Sequence, residues 1–380
     1  MIPFNKAIYL EDSMKYVADA IQSSNISGDG KYTKLCNEWM EQNFNAKKVL
    51  MTTSCTAALE MSAILLDIKW GDEVIMPSYT FVSTANAFVM HGAKIVFVDI
   101  RPDTMNLDEQ LIEQAITNKT KAIVVVHYAG VSCEMDKILA ISSKYNIPIV
   151  EDAAQGVMSS YKDRALGTIG DFGCYSFHET KNYTMGEGGA LLINNEKYFE
   201  RAEIIREKGT NRSKFFRGEI DKYSWVDIGS SFLPSEINVA YLYGQLLKAD
   251  EIKVNRLQLW NEYDKSFRKV ASENGVELPV VPKECKHNAH MYYLKLKDIQ
   301  QRSDFIKFAK SNGFNCVFHY VPLHSAEGGK KFGVFWGNDK YTTRESERLV
   351  RLPLYFGMTE NDKNWIIEHV VEYIKKLGGR

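Results

Sequence analysis

Through its first half and a little beyond, the chain repeats one pattern: a short run rich in Val and Ile, then a longer segment with helical periodicity. The runs fall at Lys48–Thr53, Glu73–Pro77, Lys94–Asp99, Lys121–His127, Pro148–Glu151, Gly173–Phe177 and Ala190–Asn194. Two of them, 95–98 and 122–126, are apolar throughout, as a strand is when helices cover both of its faces. A strand with one wetted face would alternate instead. Parallel neighbours need a long crossover, and a helix is the usual one, so strands alternating with helices predict a parallel sheet. The expectation is an α/β fold built on a mostly parallel, seven-stranded sheet.

After about residue 245 the pattern changes. A long polar helix is predicted from Tyr241 to Glu273, then a smaller α+β region ending in a helix around Asn364 to Lys376. This places a large α/β domain at 1–250 and a small C-terminal α+β domain at 251–380. With 380 residues, 45% of them hydrophobic, the chain can fill both cores.

Several classes of function are disfavoured by composition. The formal net charge is −1 and no long basic run occurs, so neither a nucleic acid nor an anionic membrane surface is an expected partner. No apolar stretch approaches the ~20 residues of a membrane span, and the start, Met1 to Lys6, lacks a basic-then-apolar signal pattern. Cys36, Cys55, Cys133, Cys174, Cys285 and Cys316 are scattered without a Cys-x-x-Cys pair, as reduced thiols in a cytoplasmic protein would be. A cytoplasmic location is expected. His287, His290, His319 and His324 form no convergent ligand set at a known spacing, so no metal is expected.

The chemistry gathers at the ends of the predicted strands. Pro148–Glu151 is followed by Asp152, and Gly173–Phe177 is followed closely by Lys181 and then by Gly186-Glu187-Gly188-Gly189. A lysine freed of its proton by a desolvated site can hold an aldehyde cofactor as a Schiff base, which a lysine at its ordinary pKa of about 10.4 rarely does. An aspartate against a pyridine nitrogen keeps that ring protonated and able to accept electrons. Thr52 to Glu60 adds hydroxyls and backbone amides where a strand turns into a helix, a natural seat for a phosphate. Each piece alone has an ordinary reading as a surface charge, a cap or a turn; their order and spacing together describe a pyridoxal 5′-phosphate site.

The motifs Ser-Phe-His-x-Thr-Lys-Asn at 176–182, Gly-Glu-Gly-Gly at 186–189, Glu-Asp-Ala-Ala-Gln at 151–155 and Pro-Ser-Tyr-Thr-Phe at 77–81 resemble those of the DegT/DnrJ/EryC1/StrS sugar aminotransferases. The resemblance covers nearly the whole chain. It implies the aspartate aminotransferase type of fold (fold type I), pyridoxal 5′-phosphate as cofactor with pyridoxamine 5′-phosphate as intermediate, and a homodimer with shared active sites. By the same resemblance Lys181 binds the cofactor aldehyde, Asp152 pairs with the ring nitrogen, Gln155 sits beside the ring hydroxyl and Phe81 stacks on the ring. Thr56, Ala57 and Ser176 match the phosphate cradle. Many relatives carry Gly-x-Asn-x-Arg where this chain has Gly229-Ser230-Ser231-Phe232-Leu233, so Ser231 stands where an Asn reaches the partner subunit's cofactor phosphate, and Leu233 leaves the Arg without an heir. The segment from His319 to His324 resembles one that borders the substrate cleft, with His319 toward sugar or nucleotide or else simply packed. The loop from Ser27 to Lys31 resembles the N-terminal active-site loop of the group or is an ordinary glycine turn.

A narrower likeness rests on Ile-Pro-Phe-Asn at 2–5, Glu-Lys-Gly-Thr-Asn-Arg-Ser at 207–213 and Asp-Ile-Gly-Ser-Ser at 227–231. It points to the branch that moves the amino group of glutamate to C4 of dTDP-4-keto-6-deoxy-D-glucose, giving dTDP-4-amino-4,6-dideoxygalactose. Arg217 is suited to the substrate pyrophosphate, since a guanidinium matches phosphate oxygens, or is a solvated loop charge. Aminotransfer at C3, or to the glucose configuration, would use the same catalytic parts. Dehydratases of this fold carry histidine in place of the lysine, and Lys181 speaks against them. A cofactor-binding regulator would need an added DNA-binding domain for which 380 residues leave no room.

Overall fold

The computed structural model describes residues 1–378. Strands β1 (Lys48–Thr52), β2 (Glu73–Pro77), β3 (Lys94–Val98), β4 (Thr120–Val126) and β5 (Ile149–Asp152) follow the predicted runs to within one residue at each end. A small hairpin, β6 (Ser160–Tyr161) and β7 (Arg164–Ala165), precedes β8 (Phe172–Ser176) and β9 (Gly189–Ile193). Later come β10 (Cys285–Lys286), β11 (Tyr292–Lys295), β12 (Val317–Phe318), β13 (Gly333–Phe335) and β14 (Leu349–Leu352).

The main sheet has the order β1-β9-β8-β5-β4-β2-β3-β13. Strand β9 runs antiparallel to β1 and β8, while the pairs from β8 across to β13 are parallel. The sheet is thus mostly parallel but has eight strands, not seven. The extra one, β13, is three residues long and follows directly on the helix Glu327–Phe332, too short to show a period of its own. Gly333 is required there, since a Cβ would stand 2.5 Å from the Phe97 ring.

Helices cover both faces. Val49 and Met51 of β1 join the core under Lys31–Phe44, Met135–Tyr145 and Glu236–Leu246, while Leu50 between them joins the core under Cys55–Leu65 and Phe199–Arg206. That strict alternation of the strand side chains is why runs with no polar break were needed.

The predicted helix over 241–273 is two helices, Glu236–Leu246 and Ala249–Glu273, broken at Lys248, whose backbone (φ −114°, ψ 21°) is not helical. The two have different work. The first is mostly apolar and packs against Glu11–Gln22 and Lys31–Phe44, whereas the second is amphipathic and packs on Glu360–Gly378. Gln245 ties the end of the first helix to the main body, accepting from the Thr184 amide at 2.9 Å and donating to its carbonyl at 2.7 Å. A separate core, built from Leu259, Phe267, Tyr292, Phe305, Ile366 and their neighbours, surrounds the small sheet β11-β14-β12.

Candidate active site

The parallel strands of the main sheet deliver their carboxyl ends to one edge, where ligands of open α/β sheets bind. β5 ends at Asp152, β8 ends at Ser176 ahead of the Lys181 loop, and β1 and β2 lead into the helices Cys55–Leu65 and Val82–Val89. A cleft of about 710 Å³ opens there, lined by Thr56, Phe81, Asp152, Gln155, Ser176 and Lys181. That volume lies within the ~300–1,000 Å³ usual for small-molecule sites. An equally large but more open groove lies at the amino ends of β5 and β8, near Asn45, Arg164 and Asn195, and holds none of the sequence-predicted residues.

Burial pushes the Asp152 carboxyl up, and two hydrogen bonds oppose it: Thr84 Oγ1 donates to Oδ2 at 2.7 Å and the Ala154 amide to Oδ1 at 3.1 Å. Lys181 is partly buried and makes no hydrogen bond or ion pair through its ammonium among the described residues. Burial pulls its pKa down, and the like charge of Arg351 acts in the same direction.

At the start of Cys55–Leu65, Ser54 caps the helix by accepting from the Ala57 amide at 3.0 Å, a contact worth about 1 kcal/mol. Thr56 Oγ1 and Ser83 Oγ stand 2.8 Å apart, joining two helix starts on the cleft wall. Gly189 lets β9 pass against this corner: a Cβ there would lie 2.4 Å from the Cys55 nitrogen. Gln155 accepts from the Ala129 amide at 2.6 Å through Oε1 and donates through Nε2 to the Tyr320 hydroxyl at 3.2 Å. Phe81, 55% exposed, leaves an open ring on the cleft wall.

Glu151 fixes the strand that carries Asp152. Fully buried, it accepts from His127 Nε2 at 2.9 Å, from the Gly167 amide at 2.8 Å, and from the Ile169 and Gly170 amides at 2.6 Å each. His127 Nδ1 accepts from the Cys133 amide at 3.2 Å, which assigns the ring proton to Nε2.

Three expected residues lie elsewhere. Ala57 is buried behind the cleft wall with its amide taken by Ser54, and the groups that line the cleft at this corner include the hydroxyls of Thr56 and Ser83. Ser231 is exposed and outside the cleft of its own chain, bridged through its backbone to Glu207. Arg217 is also outside, held by Glu203 at 2.8 Å and Glu219 at 2.6 Å. The loop from Ser27 to Lys31 is tied to the helix Glu236–Leu246, with the Gly30 amide donating to Glu236 at 3.0 Å.

His319 does line the cleft: its Nδ1 meets the Tyr128 hydroxyl at 2.9 Å, its carbonyl accepts from Tyr79 at 2.5 Å, and burial holds the ring well below the usual histidine range. His290 lines it too, with Nδ1 3.0 Å from Asn182 Oδ1, while His324 pairs with Ser78 and Asp339. Sequence reasoning missed Tyr320, Arg351, Ser83 and Phe4 in the lining. Tyr320 sat inside a motif already noticed; a lone arginine on a C-terminal strand gave no signal.

The residues fit the expected cofactor: a buried acid, a desolvated amine, a wall of hydroxyls at a helix start and an open aromatic ring face one cleft. Fold and site together define a pyridoxal 5′-phosphate-dependent enzyme of fold type I. The chain belongs to the DegT/DnrJ/EryC1/StrS aminotransferase family, whose pattern matches residues 8–371. It is similar to the uncharacterized protein MJ1066 of Methanocaldococcus jannaschii, 35% identical over 382 residues that span 99% of this chain and 97% of that one. The spore coat polysaccharide biosynthesis protein SpsC of Bacillus subtilis is 30% identical, spanning 98% and 97%. Among solved structures, the aminotransferase TlmJ from Streptoalloteichus hindustanus superposes with a TM-score of 0.90 at 26% identity, covering 99% of this chain and all of that one. The structural neighbours are sugar aminotransferases, and the family uses pyridoxal phosphate.

Proposed function

We propose that the protein moves the amino group of glutamate to C4 of dTDP-4-keto-6-deoxy-D-glucose, giving dTDP-4-amino-4,6-dideoxygalactose, as a cytoplasmic homodimer. The observation that carries the reading is the convergence of Lys181 and Asp152 on one cleft beside the hydroxyls of Thr56, Ser83 and Ser176. The sugar-level assignment is supported by the motifs at 2–5, 207–213 and 227–231 and by the polysaccharide role in the name of SpsC.

When bound, the cofactor supplies an aldehyde for the amino group and a ring that accepts electrons. Asp152 holds a proton at the ring nitrogen, and Thr84 fixes its carboxylate for that post. Lys181 Nζ, biased toward its neutral form, takes the Cα proton of the donor and returns a proton to C4 of the sugar. Phe81 would stack on the ring and Gln155, whose amide donates to Tyr320, would stand by its hydroxyl. The hydroxyls of Thr56, Ser83 and Ser176 take the phosphate. Ser231, outside the cleft of its own chain, would reach the cofactor phosphate of the partner subunit, and Arg217, held by Glu203 and Glu219, would have to exchange those carboxylates to meet the substrate diphosphate.

The lowered pKa has a measurable sign. Only the neutral amine captures the aldehyde, so the rate at which apo-protein binds pyridoxal phosphate should rise with pH and level off below the ordinary lysine value of 10.5. A midpoint at or above 10.5, followed by stopped-flow absorbance, would show that the cleft does not desolvate Lys181.

The function is tested by visible absorbance of the holoenzyme. Glutamate should bleach the yellow band and the keto sugar should restore it, with NMR of the product fixing position and configuration. A band that glutamate bleaches and this sugar leaves bleached keeps the aminotransferase and rejects the sugar.

A further inference from the structure

A second, small pocket of about 10 Å³ adjoins Lys181, with Gln155, Ser176, Asn182, Asn288 and His290 among its other lining residues. One water needs ~10–15 Å³ of such space and a few polar partners. The pocket is the size of a single water.

The hydrogen bonds of the lining determine which groups are open to that space. Asn288 is buried and spends its amide inside the protein: Nδ2 donates to the Gln155 and Val157 carbonyls at 2.8 Å each, and Oδ1 accepts from the His290 amide at 3.0 Å. Asn182, also buried, donates through Nδ2 to the Asn288 carbonyl at 3.0 Å, so the Oδ1 that stands 3.0 Å from His290 Nδ1 is an acceptor. The His290 ring proton is therefore on Nδ1, and Nε2 carries a lone pair. Arg256 locks the backbone here, donating to the Ala289 carbonyl at 3.1 Å and to the His290 carbonyl at 2.9 Å. Gln155 is taken up by Ala129 and Tyr320, and the Tyr183 hydroxyl by the Ala249 carbonyl. Ser176 Oγ accepts from the His178 amide at 3.4 Å and faces the phosphate in the reading above. Neither Lys181 Nζ nor His290 Nε2 has a hydrogen-bond partner among the described residues. A donor and an acceptor thus flank one water-sized space.

We propose that this pocket binds one water that accepts a hydrogen bond from Lys181 Nζ and donates one to His290 Nε2, and that His290 is thereby a positioning residue for Lys181. The role rests on the aminotransferase reading above, in which the same nitrogen holds the cofactor and moves a proton. An acceptor-only ring suits that work. It orients the amine through the water and, held neutral by burial, takes no proton from it. Burial drives Lys181 toward its neutral form, whereas the bridge favours the ammonium, because hydrogen bonds to a charged group are the stronger ones. The bridge therefore limits how far the lysine pKa falls. The other titratable groups that bear on Lys181 are Asp152 from β5, Cys55 from the start of its helix and Arg351 from β14, with Arg256 and His319 near His290. All of these stay in place when His290 alone is changed.

Two measurements on the full-length protein test the proposal. A crystal structure of the wild type freed of cofactor should show one water within ~3.2 Å of both Lys181 Nζ and His290 Nε2. His290→Leu removes the acceptor, so the pH midpoint for capture of pyridoxal phosphate should fall by about one pH unit, the scale of one charge-assisted hydrogen bond. His290→Gln, whose carbonyl oxygen can accept, should keep most of the wild-type midpoint.

A wild-type pocket without a water, or a water that touches only one of the two nitrogens, would overturn the proposal. So would a His290→Leu midpoint at or above the wild-type value, or equal falls in His290→Leu and His290→Gln, which would trace the effect to packing. If a thermal melt shows that His290→Leu does not fold, the crystallographic water decides alone. Bleaching of the wild-type band by glutamate is scored separately. If it occurs and the pocket is dry, only the water site fails; if it does not occur, the aminotransferase reading fails whatever the pocket holds.

Discussion

Replacing Lys181 by alanine is expected to abolish turnover, lowering kcat by ~10⁴-fold or more, because the same nitrogen both holds the cofactor and relays the proton. The fold should survive. The Lys181 side chain makes no hydrogen bond or ion pair among the described residues, and its burial works against its charge, so truncating it leaves no buried partner stranded. A thermal melt no lower than wild type, with no product from single-turnover assays, is the predicted pair of results. Wild-type activity in the variant would refute the central role given to this residue.

The largest effect on stability is expected at Glu151, next to Asp152 but facing away from the chemistry. Truncation to alanine strands four buried donors at once: the His127 ring and the amides of Gly167, Ile169 and Gly170. Breaking a buried charged network in this way costs about 3–5 kcal/mol. The urea midpoint of Glu151→Ala should fall accordingly, and bound cofactor should fall with it, because the same strand presents Asp152. Glu151→Gln should suffer less, keeping one acceptor oxygen while its amide faces donors. A midpoint within 1 kcal/mol of wild type, on the scale of one neutral hydrogen bond, would mean that this network does not hold the strand end.

What could be read from the sequence was what local pattern determines. Runs such as Ile95 to Val98 and Ala122 to Val126 have to be buried on both faces, and all seven predicted strands occur in the main sheet. The chemistry at the ends of β5 and β8 was legible because Asp152 and Lys181 sit at positions that strand ends bring together. Residues that reach the cleft from far along the chain were not legible. Arg351 comes from the C-terminal sheet and Phe4 from the irregular segment before the first helix, and no local period links either to Lys181. The break at Lys248 was hidden for a related reason, since its two flanking helices differ in the surfaces they meet more than in propensity.

The short strand β13 also bears on how the chain can be cut and how it is made. A boundary near residue 250, proposed from the change in pattern, would separate β13 from β3, although the two pair in parallel from Gly333 opposite Ile95 to Phe335 opposite Phe97. A fragment ending there would leave Ile95, Val96, Phe97 and Val98 along a bare edge, an open template for another strand. The first 250 residues expressed alone should therefore tend to aggregate, and a nascent chain leaving the ribosome carries the same unguarded edge until its last third has been synthesised.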